Sequence, residues 1–234
     1  MRLLLFVFSI VLLSSFHSDK SRFERQFQSE ITWANQFLIN NKKKINLYCS
    51  EYQIQSKLFC SIIFPELIRY RELQNFFETK SLELSYLQNG LKQIDFSIGY
   101  FQIKPSFAEK MEALASDENN ENWSADHHEI CSYGSVINEK DKRKARLDRL
   151  KQIDWQIKYV CFFIKYCEKK WPVDSADKIM TFATRFNSGV DLEVSKISYF
   201  LNKKYFPHGM KFPSAYQYNY AQISTMYFQD SFSH

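Results

Sequence analysis

The chain is poor in the residues that mark disordered, collagen-like or low-complexity proteins, since its 234 residues include only five glycines and five prolines. It also lacks a dense basic stripe, because 31 Lys and Arg residues are offset by 26 Asp and Glu residues, leaving a net charge of +5. A nucleic-acid partner is therefore not expected. What the chain does contain is 45% hydrophobic and 17% aromatic residues, which suits one domain with a sizeable core.

Several common catalytic motifs are also missing. No Gly-rich phosphate loop and no Gly-x-Ser-x-Gly sequence occurs, so nucleotide chemistry and serine hydrolysis lose their usual residues. The adjacent His127 and His128 suggest metal binding, but neighbouring side chains rarely reach the same ion, and no further ligand follows at a zinc-site spacing. We therefore expect neither a metal nor a cofactor.

The first 18 residues have the pattern of a secretory signal peptide. Arg2 supplies one positive charge, an apolar run covers 3–13, and small residues follow it. This run of about 11 residues is shorter than the roughly 20 that span a bilayer. We expect residues 1–18 to be removed and the single domain 19–234 to be periplasmic or secreted, with a short N-terminal anchor as the alternative.

The five cysteines form neither a metal-type pattern nor an even-numbered disulfide framework. At least one thiol stays unpaired in a monomer, and we expect most of them to be buried small side chains. Export would permit a Cys49–Cys60 disulfide, which stays open as an alternative.

Apolar residues recur at helical spacing along nearly the whole chain, and no alternation typical of a strand is convincing. The fold is therefore predicted to be mainly α. The spacing predicts two helices before Pro65, another that stops at Gly90, and a long central helix over 147–167. Further helices are predicted over 108–114, 175–186, 193–203 and 215–227.

The first candidate for chemistry is Glu66, which follows an apolar helix and Pro65. Burial among apolar neighbours would raise the pKa of its carboxyl group towards the range of a proton donor. The alternative is an ordinary i,i+3 ion pair with Arg69 on a solvated helix face.

Two further segments combine polar residues with turns or helix ends. The segment 95–108 contains Gly99, which permits a tight turn, and Gln102, which offers both a donor and an acceptor. The segment 182–189 contains Asn187 before a glycine, a pattern that an ordinary helix C-terminus also explains.

Taken in this order, the three segments resemble the lysozyme-like catalytic domain of soluble lytic transglycosylases. That family places a catalytic Glu after an apolar helix, then Gly, Gln, Pro, Ser or Thr, and Ala at intervals, and later Ala-Tyr-Asn-x-Gly. The resemblance extends over roughly residues 58–189, and the matching residues are Glu66, Gly99, Gln102, Pro105, Ser106, Ala108, Asn187 and Gly189.

The resemblance implies a lysozyme-like helical domain with additional flanking helices. It implies cleavage of the bond between N-acetylmuramic acid and N-acetylglucosamine in peptidoglycan glycan strands. Glu66 would protonate the glycosidic oxygen and then remove the proton of the C6 hydroxyl, giving a 1,6-anhydromuramoyl end. Gly99, Tyr100, Gln102 and Asn187 would contact the glycan.

Asp95 is a further candidate for contact with the glycan, and it opens a second reaction. With two carboxyl groups near the cleft, ordinary hydrolysis by water becomes feasible, as in lysozyme. A lysozyme-type hydrolase that uses Asp95 is therefore one alternative to the transglycosylase.

The chain also departs from the family pattern. Leu67 follows the Glu where Ser is usual, and Phe186 replaces the Tyr that precedes Asn. Arg69, Tyr70 and Tyr100 are the candidates for compensation. These departures leave open a noncatalytic protein that binds peptidoglycan or acts as an envelope scaffold, with another envelope protein as its partner.

Overall fold

The computed structural model describes residues 20–73, 79–92, 95–117, 128–135, 138–208 and 217–229. The prediction of a mainly α protein is confirmed, because these ranges contain helices and only two isolated β-bridges. Residues 20–26 are helical. The helices that follow are α1 Gln28–Glu51, α2 Ser56–Leu73, α3 Thr79–Asn89, α4 Pro105–Ala115, α5 Glu139–Leu150, α6 Ile153–Lys170, α7 Ser175–Ser188, α8 Val194–Leu201 and α9 Tyr220–Phe228.

The predicted signal peptide and His127 lie outside the described residues. Within the described ranges, no helix combines the length and the apolar character needed to cross a bilayer. All five cysteines are free thiols, so Cys49 and Cys60 are not joined, and three of the five are buried, as expected for most of them.

The central helix of the fold is α2, which packs against α1, α6, α7 and α9. Pro65 does not end this helix, as the sequence had suggested, but lies inside it. A proline removes one backbone hydrogen bond from a helix. Here the neighbouring Phe64 and Leu67 are fully buried, so packing on several sides keeps the helix continuous.

The periodic run over 147–167 is also not one helix, because α5 ends at Leu150 and α6 begins at Ile153. The buried Gln156 explains the break: its side-chain Nε2 donates to the Leu150 carbonyl at 2.9 Å, which satisfies an acceptor at the end of α5. The helix predicted to stop at Gly90 does so, with Gly90 at φ +64°.

A buried polar network joins α3, α4, α5 and α6 and so fixes the position of α4. Arg146 Nε donates to the two carboxylate oxygens of Glu112 at 2.9 and 3.0 Å. Arg146 Nη1 donates to the Tyr86 hydroxyl, and the Tyr159 hydroxyl donates to Glu112 at 2.6 Å. Because both charged side chains are less than 10% exposed, each charge compensates for the hydration that the other loses on burial.

We predict that Arg146→Met lowers the free energy of unfolding by about 3–5 kcal/mol, because it leaves the Glu112 carboxylate buried without its cation. Urea unfolding followed by circular dichroism measures the loss. The exposed Lys140→Met on the same helix is the control and should change stability little. Equal effects of the two variants would show that the network contributes nothing specific.

Candidate active site

A cleft of about 450 Å³ lies between α2, the segment 95–104, α4 and the end of α7. The cleft therefore joins the three segments that the sequence singled out, although these are far apart along the chain. Arg69 and Asn187, for example, are 118 residues apart. The residues that line it are Glu66, Arg69, Asp95, Ser97, Gln102, Ile103, Lys104, Ser106, Phe107, Lys110 and 186–192.

Glu66 lies on α2 and faces the cleft with only 3% of its surface exposed. Arg69, one turn further along α2, donates from Nη1 to both Glu66 carboxylate oxygens, at 2.9 Å each. The ion pair considered from the sequence is thus present, but it is buried at the cleft and does not lie on a solvated helix face.

Arg69 also connects Glu66 to two distant parts of the chain. Its Nη2 donates to Asn187 Oδ1 at 3.2 Å, and its Nε donates to the Pro207 carbonyl at 3.1 Å. The guanidinium carbon lies 5.3 Å from the centre of the Phe206 ring, within the range of a cation–π contact. The position of the Glu66 carboxylate is therefore fixed by α2, α7 and the 206–207 segment together.

Tyr220, at the start of α9, supplies a hydroxyl group beside the same carboxylate. The hydroxyl donates to the Ile62 carbonyl at 2.9 Å, and it lies close enough to Glu66 to interact with it as well. Both side chains are nearly inaccessible to solvent. The sequence indicated only that Tyr220 lies in the helix predicted over 215–227.

Burial raises the pKa of Glu66 above its ordinary value, because the charged form loses its hydration. The Arg69 charge opposes this shift most strongly, followed by the nearby Tyr220 hydroxyl, by hydrogen bonding from Arg69 and by the charge of Lys104. The net direction is upward, so Glu66 holds its proton at a higher pH than an exposed glutamate. The same burial raises the pKa of the Tyr220 hydroxyl well above its ordinary value, which keeps that group protonated.

The segment before α4 forms a tight turn that carries Gln102 to the cleft. Ile98 and Ile103 exchange two backbone hydrogen bonds, and the Gln102 amide donates to the Gly99 carbonyl at 3.1 Å. Gly99 has φ +70°, and a Cβ there would lie 2.1 Å from Gln156 Nε2. Gly99 is thus required by close packing beneath the turn, and it is not among the residues that line the cleft.

The turn is held from below by Gln156, whose Oε1 accepts from the Phe101 amide at 2.9 Å. Gln102 has φ +50°, which directs its side chain back over the turn so that Nε2 donates to the Gly99 carbonyl at 2.8 Å. Within the described ranges, no group donates a hydrogen bond to the side-chain oxygen of Gln102. Because Gln102 lines the cleft, a ligand there can supply the donor.

Asp95 also lines the cleft, but its oxygens are engaged at the start of α4. Oδ1 accepts from the Ser106 amide at 3.2 Å, Oδ2 accepts from the Ser106 hydroxyl at 2.7 Å, and Lys104 Nζ lies 3.8 Å from Oδ2. A carboxylate in this position satisfies an amide that the first turn of a helix leaves unpaired. Its observed contacts are those of a helix cap.

Tyr100 does not line the cleft. It packs against Phe37 and Tyr70, beside the cleft and not within it. Of the three residues proposed to compensate for the family departures, only Arg69 contacts Glu66 in this structure.

The two departures from the family pattern have different structural meanings. Leu67 is fully buried and absent from the cleft lining, so a change at this position alters core packing. Phe186 does line the cleft, where it packs against Phe107 and Phe163 at 5.3 and 5.4 Å between ring centres. The hydroxyl that a tyrosine there would carry has a counterpart beside Glu66 in the hydroxyl of Tyr220.

The remaining charges of the cleft are arranged as pairs. Lys110 on α4 lies 2.6 Å from Asp191, which follows α7, so this ion pair closes one side of the cleft. Within the part of the chain that the structure describes, no group of three or more His, Cys, Asp or Glu side chains is placed to hold a metal ion. The chemistry that these residues offer is proton transfer at Glu66 combined with hydrogen bonding from amide side chains.

Comparison of the chain with protein-family models, with curated proteins and with solved structures finds no match.

We predict that Arg69→Met destabilises the protein by about 3 kcal/mol at neutral pH, because the Glu66 carboxylate then lies buried without its cation. The loss should shrink as the pH falls, since removal of the Arg69 charge raises the pKa of Glu66 further and protonation relieves the unpaired charge. Urea unfolding between about pH 8 and pH 4.5 measures this trend.

Two further variants make this test specific to the ion pair. In Glu66→Gln/Arg69→Met no carboxylate is left to titrate, so the difference from the Glu66→Gln protein should not vary over the same pH range. The exposed Arg71→Met is a matched control on the same helix and should show no such trend. A loss of stability in Arg69→Met that is constant with pH would contradict the predicted coupling.

Proposed function

We propose that this protein is an exported peptidoglycan lytic transglycosylase with a lysozyme-like helical fold. The observation that carries the proposal is the meeting of Glu66, Gln102 and Asn187 at one cleft, with Glu66 almost fully buried there. These three residues come from the three segments that resemble the family, and an elongated saccharide is a ligand that suits an open cleft lined by amides and charges. Bacterial peptidoglycan would be the substrate and its glycan strands the binding partner.

A single carboxyl group that serves first as an acid and then as a base needs a balanced pKa. Burial disfavours the charged form of Glu66, which prepares it to donate a proton to the glycosidic oxygen. Once the proton has left, Arg69 stabilises the resulting carboxylate at 2.9 Å from both oxygens. The carboxylate then removes the proton of the C6 hydroxyl, and the substrate closes its own 1,6-anhydro ring.

Gln102 and Asn187 are suited to orient the acetamido and hydroxyl groups of the sugars. The Gln102 side-chain oxygen offers an acceptor, whereas Asn187 Nδ2 points to the Ser188 hydroxyl over a long 3.4 Å contact that a ligand can replace. Asn187 Oδ1 is held by Arg69, so the amide keeps its orientation while the other end binds the ligand. No cofactor takes part in the proposed reaction.

The contacts of Asp95 favour the transglycosylase over the lysozyme-type hydrolase. A hydrolase needs a second carboxylate that is free to activate water or to attack the sugar. Both oxygens of Asp95 accept hydrogen bonds from Ser106 at the start of α4. The bonds hold the carboxylate towards Ser106 and use one acceptor site on each of its oxygens, which favours a capping role for Asp95.

A noncatalytic peptidoglycan-binding or envelope scaffold protein is the second candidate function. The observation that favours it is that both Glu66 oxygens are paired with Arg69. If this pair does not open when a glycan binds, the cleft would hold sugars without cleaving them.

We predict that the mature protein releases anhydro-ended fragments from purified peptidoglycan sacculi, and that Glu66→Gln lowers the rate about a thousandfold by removing the acid. Mass spectrometry of the soluble fragments distinguishes the reactions by their end groups. Asp95→Asn should retain the anhydro products, with at most a partial loss of rate from a weaker helix cap. Reducing ends that disappear in Asp95→Asn would establish the hydrolase, and sacculus binding without release by any variant would establish the noncatalytic protein.

We also predict that Tyr220→Phe moves the loss of activity at alkaline pH to a higher pH. The hydroxyl lowers the pKa of Glu66, so its removal keeps the acid protonated over a wider range. The pH profile of fragment release measures the shift.

Tyr218→Phe is the matched control, because its hydroxyl donates to Gln26 at 2.7 Å and is not among the main groups that shift the pKa of Glu66. It should lose a similar amount of hydrogen-bond energy while keeping the wild-type pH profile. A pH profile that stays unchanged in Tyr220→Phe would exclude a role of this hydroxyl in tuning the acid.

A further inference from the structure

A second cavity, of about 400 Å³, lies between α1, the first turns of α2 and the end of α9. Among the described residues, none lines both this cavity and the cleft at Glu66. The residues of α1 that line it, between Asn35 and Asn46, follow each other at the spacing of one helix face. Cavities of this size bind small organic molecules in many proteins. We refer to this one as the α1–α2 pocket.

Most of the surface inside the α1–α2 pocket is apolar. Leu38 and Ile45 are buried, whereas Ile39 is 64% exposed and so leaves apolar surface in water that a ligand can cover. Tyr227 forms the side of the pocket that belongs to α9, and its ring stacks on the buried Phe64 with centres 4.3 Å apart. This wall suits a hydrocarbon group.

The thiol of Cys60 on α2 belongs to the same apolar wall. Cys60 lines the pocket and forms no disulfide. Burial raises the pKa of this thiol to about 12, so it carries no charge at neutral pH. A protonated cysteine packs like a small hydrophobic side chain.

The charge of the α1–α2 pocket has one sign. Of the described residues that line it, the charged ones are Lys42 and Lys57, and none is a carboxylate. Lys57 Nζ lies 5.0 Å from the centre of the Phe228 ring, within the range of a cation–π contact. Two cations beside an apolar wall are complementary to a ligand that joins a hydrocarbon chain to an anionic group.

The two lysines come from neighbouring parts of their helices. Only residues 52–55 separate α1 from α2, so the two helices run antiparallel and the start of α2 lies beside the end of α1. Lys57 therefore lies towards the half of the pocket that contains Lys42 and Asn46. From Asn35 to Asn46 the pocket extends about 16 Å along α1. This is about the length of one acyl chain, because two opposed chains fill a bilayer core roughly 30 Å thick.

We propose that the α1–α2 pocket binds a free fatty acid, whose chain lies along the apolar wall while Lys42 and Lys57 hold its carboxylate. The inference goes beyond the proposed function and does not depend on it, because the pocket and the cleft share no described residue. A free fatty acid fits better than a phospholipid, since the pocket has the length of one chain and a cationic site for one anionic group.

The first test compares ligands that differ in one property. Calorimetric titration with dodecanoate, below the concentration at which it forms micelles, should show one molecule bound per protein. Dodecyltrimethylammonium has the same chain and the opposite charge, and it should bind at least tenfold more weakly. Octanoate lacks four methylene groups and should bind about a hundredfold more weakly. Absence of dodecanoate binding, or equal affinity for dodecanoate and the ammonium ion, would overturn the proposal.

The second test removes the cations. Lys42→Met/Lys57→Met should weaken dodecanoate binding about tenfold without weakening the binding of dodecyltrimethylammonium. The matched control is Lys43→Met/Lys140→Met, which lowers the net charge equally at two exposed lysines that do not line the pocket. Equal weakening in the two double variants would show a general charge effect and overturn the site.

The third test removes apolar surface. Ile39→Ser should weaken the binding of dodecanoate and of dodecyltrimethylammonium several-fold, because both chains lose the same contact. Leu47→Ser is the matched control, since Leu47 is 55% exposed on the same helix and does not line the pocket. Thermal unfolding without ligand checks that each variant keeps its fold. Equal effects of the two substitutions would contradict the predicted position of the chain.

Two further measurements separate the pocket from other binding surfaces. Lys110→Met, in the cleft, should leave dodecanoate binding unchanged, and a loss of affinity would place the carboxylate in the cleft and overturn the proposal. Sedimentation with phosphatidylglycerol vesicles by a protein that does not bind free dodecanoate would show attachment to a membrane surface and would also overturn it. Neither result affects the reaction proposed at Glu66, which fragment release from sacculi tests separately.

Discussion

The buried ion pair between Glu66 and Arg69 is the interaction on which the cleft depends. Two charges removed from water are costly unless they are paired and their remaining donors are satisfied. Arg69 meets this condition by donating to both oxygens of Glu66, to Asn187 and to the Pro207 carbonyl. Because one guanidinium binds Glu66 on α2, Asn187 on α7 and the Pro207 carbonyl, the orientations of the carboxylate and of the Asn187 amide follow from the same geometry. The Arg69 charge also lowers the pKa of Glu66 and so opposes the upward shift caused by burial. One contact therefore affects both the position and the protonation of this carboxyl group.

The opposite wall of the cleft depends on polar groups buried away from it. The side-chain oxygen of Gln156 accepts a hydrogen bond from the Phe101 amide and so holds the 98–103 turn. Its side-chain nitrogen donates to the Leu150 carbonyl and so caps the end of α5. Arg146 and Glu112 tie α4 to α5 and, through the tyrosine hydroxyls, to α3 and α6. Because the 98–103 turn and α4 are held by these buried contacts, Gln102 and Ser106 can face the cleft without further contacts from the cleft side. This arrangement leaves the cleft itself open to a ligand.

Much of the helical content could be predicted from periodicity, and the site could be predicted in part from three short segments. Helix ends were least predictable where burial or a side chain overrode local preference, as at Pro65 within α2 and at Gln156 beyond α5. The meeting of Glu66 with Asn187 required the resemblance, because no spacing rule joins residues so far apart. Tyr220 could not be found in this way, since it lies beyond the segments that resemble the family and carries no local motif. Asp95 was equally ambiguous, because a capping carboxylate and a catalytic one look alike in sequence.

Under the proposed function, helix α2 links ligand binding to proton transfer. Arg69 lies one turn after Glu66 on this helix and donates back to its carboxylate. A ligand that fills the cleft displaces water from the neighbourhood of this ion pair. Loss of that water raises the cost of the charged carboxylate and so favours its protonated form. Occupation of the cleft would thereby prepare the proposed acid to donate its proton.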